Sequence, residues 1–405
     1  MWRPASGLAW AAARTFPRMG KTVNRLFCAG RIGAHLEKEC GRRQGRTAPP
    51  WRILFFGTDE FAQRVLEKLH PSSRFLKTGK MLVQQLEVVT LPATKSAELP
   101  VRKYALMNQI SVHDWPYFAP NDYFDVGIIV SFGNLLSETL IQQFPYGILN
   151  LHPSLLPRWR GPAPIFHTLI HGDQVTGVTI IQIRPTRFDV GPIVMQQECA
   201  VPPRCTADEL GVILAETGAE MLLSTLESLP ELVKNAREQS KEGITFAPKI
   251  NVGMSWVNWQ EQTWEELDQI YRAIGSRIPL RTLWMDKTVK LLDLVDVREI
   301  PVSLAFTPEQ LIPGTIHFHK ESNTLLVRCK NGWSGFKLVV LKKVLSAADF
   351  YNGYLHPYFR KGSKINQTAT RFQTHKPEKK PKAKLSKRTG MSLDVNNLND
   401  SVLYN

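Results

Sequence analysis

The chain has 405 residues, 43% hydrophobic and 21% charged, which is room for two or three domains with sizeable cores. It contains no run of 18 apolar residues, so no membrane span is expected. The formal charge of +15 is uneven: residues 1–48 hold ten Lys/Arg against two Asp/Glu, residues 361–405 ten against three, and residues 49–360 hold 31 of each, so a nucleic-acid-binding character would reside in the ends.

No acid precedes Glu37, while Arg3, Arg14, Arg18, Lys21, Arg25 and Arg31 alternate with Trp2, Leu8, Trp10, Phe16 and Leu26. Over residues 1–48 this is the composition of a mitochondrial transit peptide, which points to the matrix; a disordered basic arm has the same composition. Cys28, Cys40, Cys199, Cys205 and Cys329 show no paired spacing, so reduced thiols are expected rather than a disulfide framework or a zinc site.

The apolar run Trp51 to Gly57 predicts a buried strand, and Glu60 to Leu69 a helix, the opening of a doubly wound α/β fold. The turn Gly57-Thr58-Asp59-Glu60-Phe61 lacks the second and third glycines of a dinucleotide fingerprint, and no Walker A loop occurs. Leu86 to Leu91 and Ile110 to His113 are the next strands. Between them, Pro92 to Lys103 carries Lys95, Arg102 and Lys103 with Glu98, and Lys77 and Lys80 precede. That region is either an RNA contact or an ordinary solvated loop.

Val126 to Val130 and Ile148 to Leu151 have the bulk of strands buried on both faces, and each gives way to polar, Pro-rich sequence. Ligands of open α/β sheets lie beyond the carboxyl ends of the strands, so Ser131, Phe132 and Gly133 should converge with Asn150, His152 and Ser154. Asn150 and His152, two residues apart, point to one side of an extended chain. Pro164 to His171 fits a short helix with His167 and His171 at i,i+4, but Thr168 stands where an HExxH site has its Glu, so packing is expected and no metal.

Strands Val178 to Ile183 and Ile193 to Glu198 flank the loop Arg184 to Gly191. A capping box, Thr206 to Glu209, opens a helix through about Val233. Residues 241–257 look like an exposed connector. A second box, Thr263 to Glu266, precedes strands at Thr288 to Leu294, Gly314 to Phe318, Leu325 to Cys329 and Phe336 to Leu341, consistent with a small barrel. Lys361 to Arg388 hold ten basic residues and one acid, Glu378, a tail expected to be disordered and able to attract a phosphate backbone.

An amide beside an imidazole suits acyl transfer to an amine. Asn150 can donate to a developing oxyanion and His152 can carry a proton, with Asp189 as the carboxylate that orients it. A His at a strand end is also a common hydrogen-bonded structural residue. The run LNLHPSLLPRWRGPAP, followed by GVTIIQI and an Asp-Val-Gly, resembles the signature of the folate-dependent formyltransferases. The resemblance implies that Asn150, His152 and Asp189 are the catalytic trio. Ser154, Leu155, Leu156 and Pro157 would line the folate site, joined by Ser131, Phe132 and Gly133 at the neighbouring strand end. The formyl donor would be 10-formyltetrahydrofolate, with no metal. The loop Arg184 to Gly191 is one residue longer than the family's Asp-x-Gly-Leu-Asp-Thr-Gly, and Gly57-Thr58-Asp59 replaces a usual Gly-Thr-Pro.

The implied architecture is a Rossmann-like doubly wound formyltransferase domain (49–240), a linker (241–257), a smaller OB-like β-barrel domain (258–360) and the basic tail (361–405). Members of the family that this chain resembles and that end in such a β module act on methionyl-tRNA, so the resemblance, with the basic tail, implies methionyl-tRNA as the formyl acceptor; a monomer that does not bind membranes is expected. Glycinamide ribonucleotide would need neither module. A hydrolase would use the same trio with water, and an RNA-binding protein that had lost catalysis would keep the scaffold without binding folate.

Overall fold

An unbroken apolar run makes the first strand, β1 (Trp51–Gly57), buried along both faces. The computed structural model describes residues 46–72, 79, 81–93, 98–116, 124–296, 312–359 and 368–375. The presequence up to residue 45, Cys28 and Cys40, Lys77, Lys80 and Lys95, and most of the basic tail lie outside them. β2 (Val83–Thr90), β3 (Ser111–Asp114), β4 (Val126–Val130), β5 (Ile148–His152), β6 (Val175–Gln182) and β7 (Ile193–Ala200) complete a sheet of order β3-β2-β1-β4-β5-β6-β7. The first five strands are parallel; β6 runs antiparallel to β5, and β7 to β6. The strand order reverses between β1 and β4, where a doubly wound sheet opens its crevice.

Helices α1 (Glu60–Ser72), α2 (Pro100–Met107), α3 (Glu138–Ile141), α4 (Pro164–Ile170) and α5 (Ala207–Glu227) accompany the sheet. Ala62, Val65, Leu66 and Leu69 of α1 share one core with Leu210, Leu214, Leu222 and Leu226 of α5. Thr206 and Glu209 form the expected capping box. The predicted single helix through Val233 is instead two: α5 stops at Glu227 and α6 (Leu229–Lys234) begins anew around Pro230, which has no N–H to continue the ladder.

Packing against the sheet begins inside the stretch read as presequence. Tyr146 donates its hydroxyl to the Arg46 carbonyl, and Arg46 Nη1 donates to the Pro50 carbonyl at 2.7 Å.

In the C-terminal domain the second capping box opens α7 (Trp264–Ile274). Six antiparallel strands follow: β8 (Leu280–Trp284), β9 (Lys287–Val295), β10 (Ile316–His319), β11 (Thr324–Arg328), β12 (Trp333–Val340) and β13 (Val344–Ser346), in the order β10-β11-β12-β9-β8 with β13 beside β12. The expected domain limit at residue 360 is too short. Residues 368–375 return to the domain, bridging Arg371 to Thr315 beside β10 and Gln373 to Leu283 of β8. The segment therefore lies between the two edge strands and closes the sheet on itself. Trp284 Nε1 donates to the Ala369 carbonyl at 2.8 Å, and Phe372, 2% exposed, packs in the core with Trp259 and Phe350.

Candidate active site

Asn150 and His152 occupy the third and fifth positions of β5, and their side chains share one face as the two-residue period requires. Both meet Asp189. Asn150 Nδ2 donates to Asp189 Oδ1 at 3.2 Å, and His152 Nδ1 lies 3.6 Å from the same oxygen. Asp189 Oδ2 accepts from the Gly161 main-chain N–H at 2.9 Å. His152 is 5% exposed and Asp189 9%, while Asn150 is half-buried. The loop register inferred from the trailing Asp-Val-Gly thus brings the three groups together.

The other face of the imidazole is held by a peptide carbonyl. His152 Nε2 is 2.9 Å from the Trp159 carbonyl oxygen, which can only accept, so Nε2 carries a proton and Nδ1 is the ring nitrogen turned towards Asp189. Trp159 has left-handed backbone (φ 61°), and its indole is fixed. Nε1 donates to Asp173 Oδ2 at 2.8 Å, and His171 packs against the ring at 4.6 Å between centroids. The Arg158 guanidinium lies 4.3 Å from the ring centre and pairs with Asp173, whose hydrogen bond raises the arginine pKa further. His167 packs on the same indole, and burial lowers its pKa. Among the described residues no group of three metal-ligating side chains occurs, and His167 Nε2 bonds the Pro248 carbonyl at 3.0 Å.

The predicted folate-lining residues divide into two sets. Ser131 has left-handed φ (47°), and its carbonyl accepts from Thr58 Oγ1 at 2.7 Å, which joins the ends of β4 and β1 at the switch point. Gly133 is exposed there. Phe132, 4% exposed, turns inward against Phe56 and Trp115, so it supports the loop and its ring does not line the crevice. Leu155 and Pro157 are half-buried beside β6. Ser154 and Leu156 are sealed: Ser154 Oγ donates to the Arg158 carbonyl at 2.6 Å, and Leu156 packs on Ile181 and Ile193. These two residues shape the turn from within.

Three contributions escaped the sequence reading. Within the stretch 241–257, expected to be an exposed connector, residues 245–247 lie along the 157–163 loop: Arg160 N donates to the Thr245 carbonyl at 2.9 Å and Ala247 N to the Arg160 carbonyl at 2.7 Å. A Cβ on Gly161 (φ 125°) would sit 2.7 Å from the Ala247 carbonyl, so the close approach requires glycine. Gln239, just upstream, bonds the Asp189 loop directly. Asp59 accepts from Ala62 N at 2.9 Å at the end of β1 and faces the Ser131 hydroxyl; desolvation by its surroundings raises its pKa.

The remaining thiols are unsuited to nucleophilic work. Burial raises the pKa of Cys199 and Cys205 and pushes Cys329 up to about 11.

Comparison with known proteins bears on both domains. A family model described as "Formyl transferase" matches residues 51–226, and one described as "Formyl transferase, C-terminal domain" matches residues 249–355. The chain is 52% identical to the mitochondrial methionyl-tRNA formyltransferase of Homo sapiens, over 86% of this chain and 89% of that protein. It is 29% identical to the methionyl-tRNA formyltransferase of Rickettsia bellii, over 76% and 99%. Among solved structures, HypX from Aquifex aeolicus in complex with tetrahydrofolic acid has the same fold (TM-score 0.50, 15% identity, 75% of this chain and 47% of that one).

Proposed function

The chain belongs to the formyltransferase family, and on that premise we infer that it moves the formyl group of 10-formyltetrahydrofolate onto the α-amine of methionine carried by a tRNA. Its close relatives are mitochondrial, and it works in the mitochondrion, in the matrix, where the basic N-terminal segment would direct it. The observation that carries the reading is the meeting of Asn150, His152 and Asp189 at the end of β5.

The amine attacks the formyl carbon, a C–N bond forms, and the carbonyl electron pair moves to oxygen. Asn150 Nδ2 has two protons; Asp189 Oδ1 takes one, and the other is directed to the oxyanion. His152 Nδ1, 3.6 Å from the Asp189 carboxylate, receives the proton released by the new ammonium. Collapse of the oxyanion breaks the bond to N10 of tetrahydrofolate, which takes the proton from His152. Ser131, Gly133, Leu155 and Pro157 border the crevice that admits the folate. The C-terminal barrel and the basic tail bind the tRNA backbone, and the enzyme acts as a monomer without a metal.

Formyl transfer from labelled 10-formyltetrahydrofolate, with Met-tRNA, glycinamide ribonucleotide and water as acceptors in parallel, tests the reading. Labelled formyl-Met-tRNA is the expected product. Label passing only to glycinamide ribonucleotide or to free formate would contradict it, and no release from the donor at all would favour a scaffold without catalysis.

A further inference from the structure

Gln239 stands where the chain leaves the catalytic domain, and its side-chain amide is fully engaged. Nε2 donates to the carbonyl oxygens of Asp189 at 2.8 Å and Gly191 at 2.9 Å. Oε1 accepts from Arg160 Nε at 3.2 Å and Nη2 at 2.6 Å. A primary amide offers two donors and two acceptor positions, and all four are used. The two carbonyls flank Val190, so the amide spans the turn that presents the candidate carboxylate.

That turn needs support. Asp189 has φ 55°, a left-handed conformation that a non-glycine residue holds only where its surroundings impose it. Gly191 is pressed so closely to β6 that a Cβ would lie 1.8 Å from the Gln182 carbonyl oxygen. On the other side, Arg160 sits between Trp159, whose carbonyl bonds His152, and Gly161, whose N–H bonds Asp189. Gln239 thus ties the loop bearing the carboxylate to the loop bearing the backbone partners of both imidazole and carboxylate.

We propose that Gln239 is a positioning residue for formyl transfer: without touching substrate, it sets the Asp189 carboxylate relative to His152 Nδ1 and the Asn150 amide. The proposal rests on the reaction assigned above. A displacement of about 1 Å among reacting groups costs on the order of 100-fold in rate. Gln239 is not among the residues assigned above to border the folate, so the loss is expected on kcat and not on KM.

Two substitutions separate positioning from simple anchoring of the connector. Q239E keeps the acceptors for Arg160 and adds an opposite charge, but loses both donors to the Asp189 turn. Q239M keeps the length and loses all four bonds without adding charge. Both are expected to lower kcat for Met-tRNA formylation by about 10- to 100-fold, with both KM values and the Q239E urea midpoint near wild type. An anchoring role alone would leave Q239E at wild-type kcat and reduce only Q239M, in step with its stability; that result overturns the proposal, as does full kcat in both variants. A wild-type enzyme that formylates no acceptor overturns the assigned reaction, and the proposal with it, whereas an active wild type beside an unaffected Q239E overturns the positioning role alone.

Discussion

Two carboxylates of the N-terminal domain are closed off from water and have opposite surroundings. Asp125, fully buried before β4, accepts from the Arg52 main-chain N–H at 2.9 Å and from its guanidinium at 2.9 and 3.2 Å. The charge is matched by a permanent cation, and the hydrogen bond to Asp125 is the main cause of the raised Arg52 pKa. Asp189 accepts from an amide and a peptide N–H and faces an imidazole, and among the described residues no Lys or Arg pairs with it. One carboxylate is tied off and fixes the chain. The other faces an imidazole, the group to which a reacting amine can pass its proton.

The contrast breaks most sharply at the imidazole. His152→Ala and Asp189→Asn should lower kcat by about 10²- to 10⁴-fold, read in steady-state formylation. Asn150→Ala should lower it by about 10²- to 10³-fold through loss of the oxyanion donor. Midpoints of urea unfolding should barely move in Asn150→Ala and Asp189→Asn, whereas His152→Ala also leaves the Trp159 carbonyl without its partner and should lose about 1 to 3 kcal/mol. Asp125→Asn should show the converse, a stability loss of about 3 kcal/mol in urea with unchanged activity per folded molecule, because breaking a buried ion pair leaves its partner uncompensated. Should Asp125→Asn remove catalysis at full stability, the distinction between the two carboxylates is wrong.

The smallest effect concerns His167, a buried imidazole that forms no ion pair with a carboxylate among the described residues and stacks on His171. Burial lowers its pKa; the Pro248 carbonyl partly opposes this and the nearby His171 adds to it. The folded state therefore resists protonation while the unfolded chain accepts it. Stability is complete above the unfolded histidine value, near about 6.5, and declines as pH falls below it. His167→Gln should flatten that acid limb, measured as the urea midpoint at pH 7 against pH 5.5. An equally steep decline in the variant would assign the pH dependence to other groups.

The parallel strands were legible because unbroken apolar runs such as Trp51 to Gly57 and Val126 to Val130 stop abruptly at polar residues. A spacing of two on such a strand put Asn150 and His152 on one side, but their role, and that of Asp189 before the closing Val-Gly of its loop, was legible only through the resemblance to the formyltransferase signature. Loops have no fixed period, so nothing in the order of residues told that Phe132, Ser154 and Leu156 turn inward while Ser131, Leu155 and Pro157 do not. Gln239 was invisible for a related reason: it acts through main-chain carbonyls 50 and 48 residues away, and any residue type can supply a carbonyl. Strand β8 carried a usable signal, since Leu280, Thr282 and Trp284 alternate inward. Residues 368–375 were absorbed into the basic run around them, although Phe372 marks a core position there.

The central claim is that the trio performs the chemical step, and single-turnover formyl transfer to pre-bound Met-tRNA measures that step apart from binding and release. With His152→Ala, the rate of transfer is predicted to fall by about 10²-fold or more while the tRNA dissociation constant stays near wild type. A single-turnover rate equal to wild type would contradict the account.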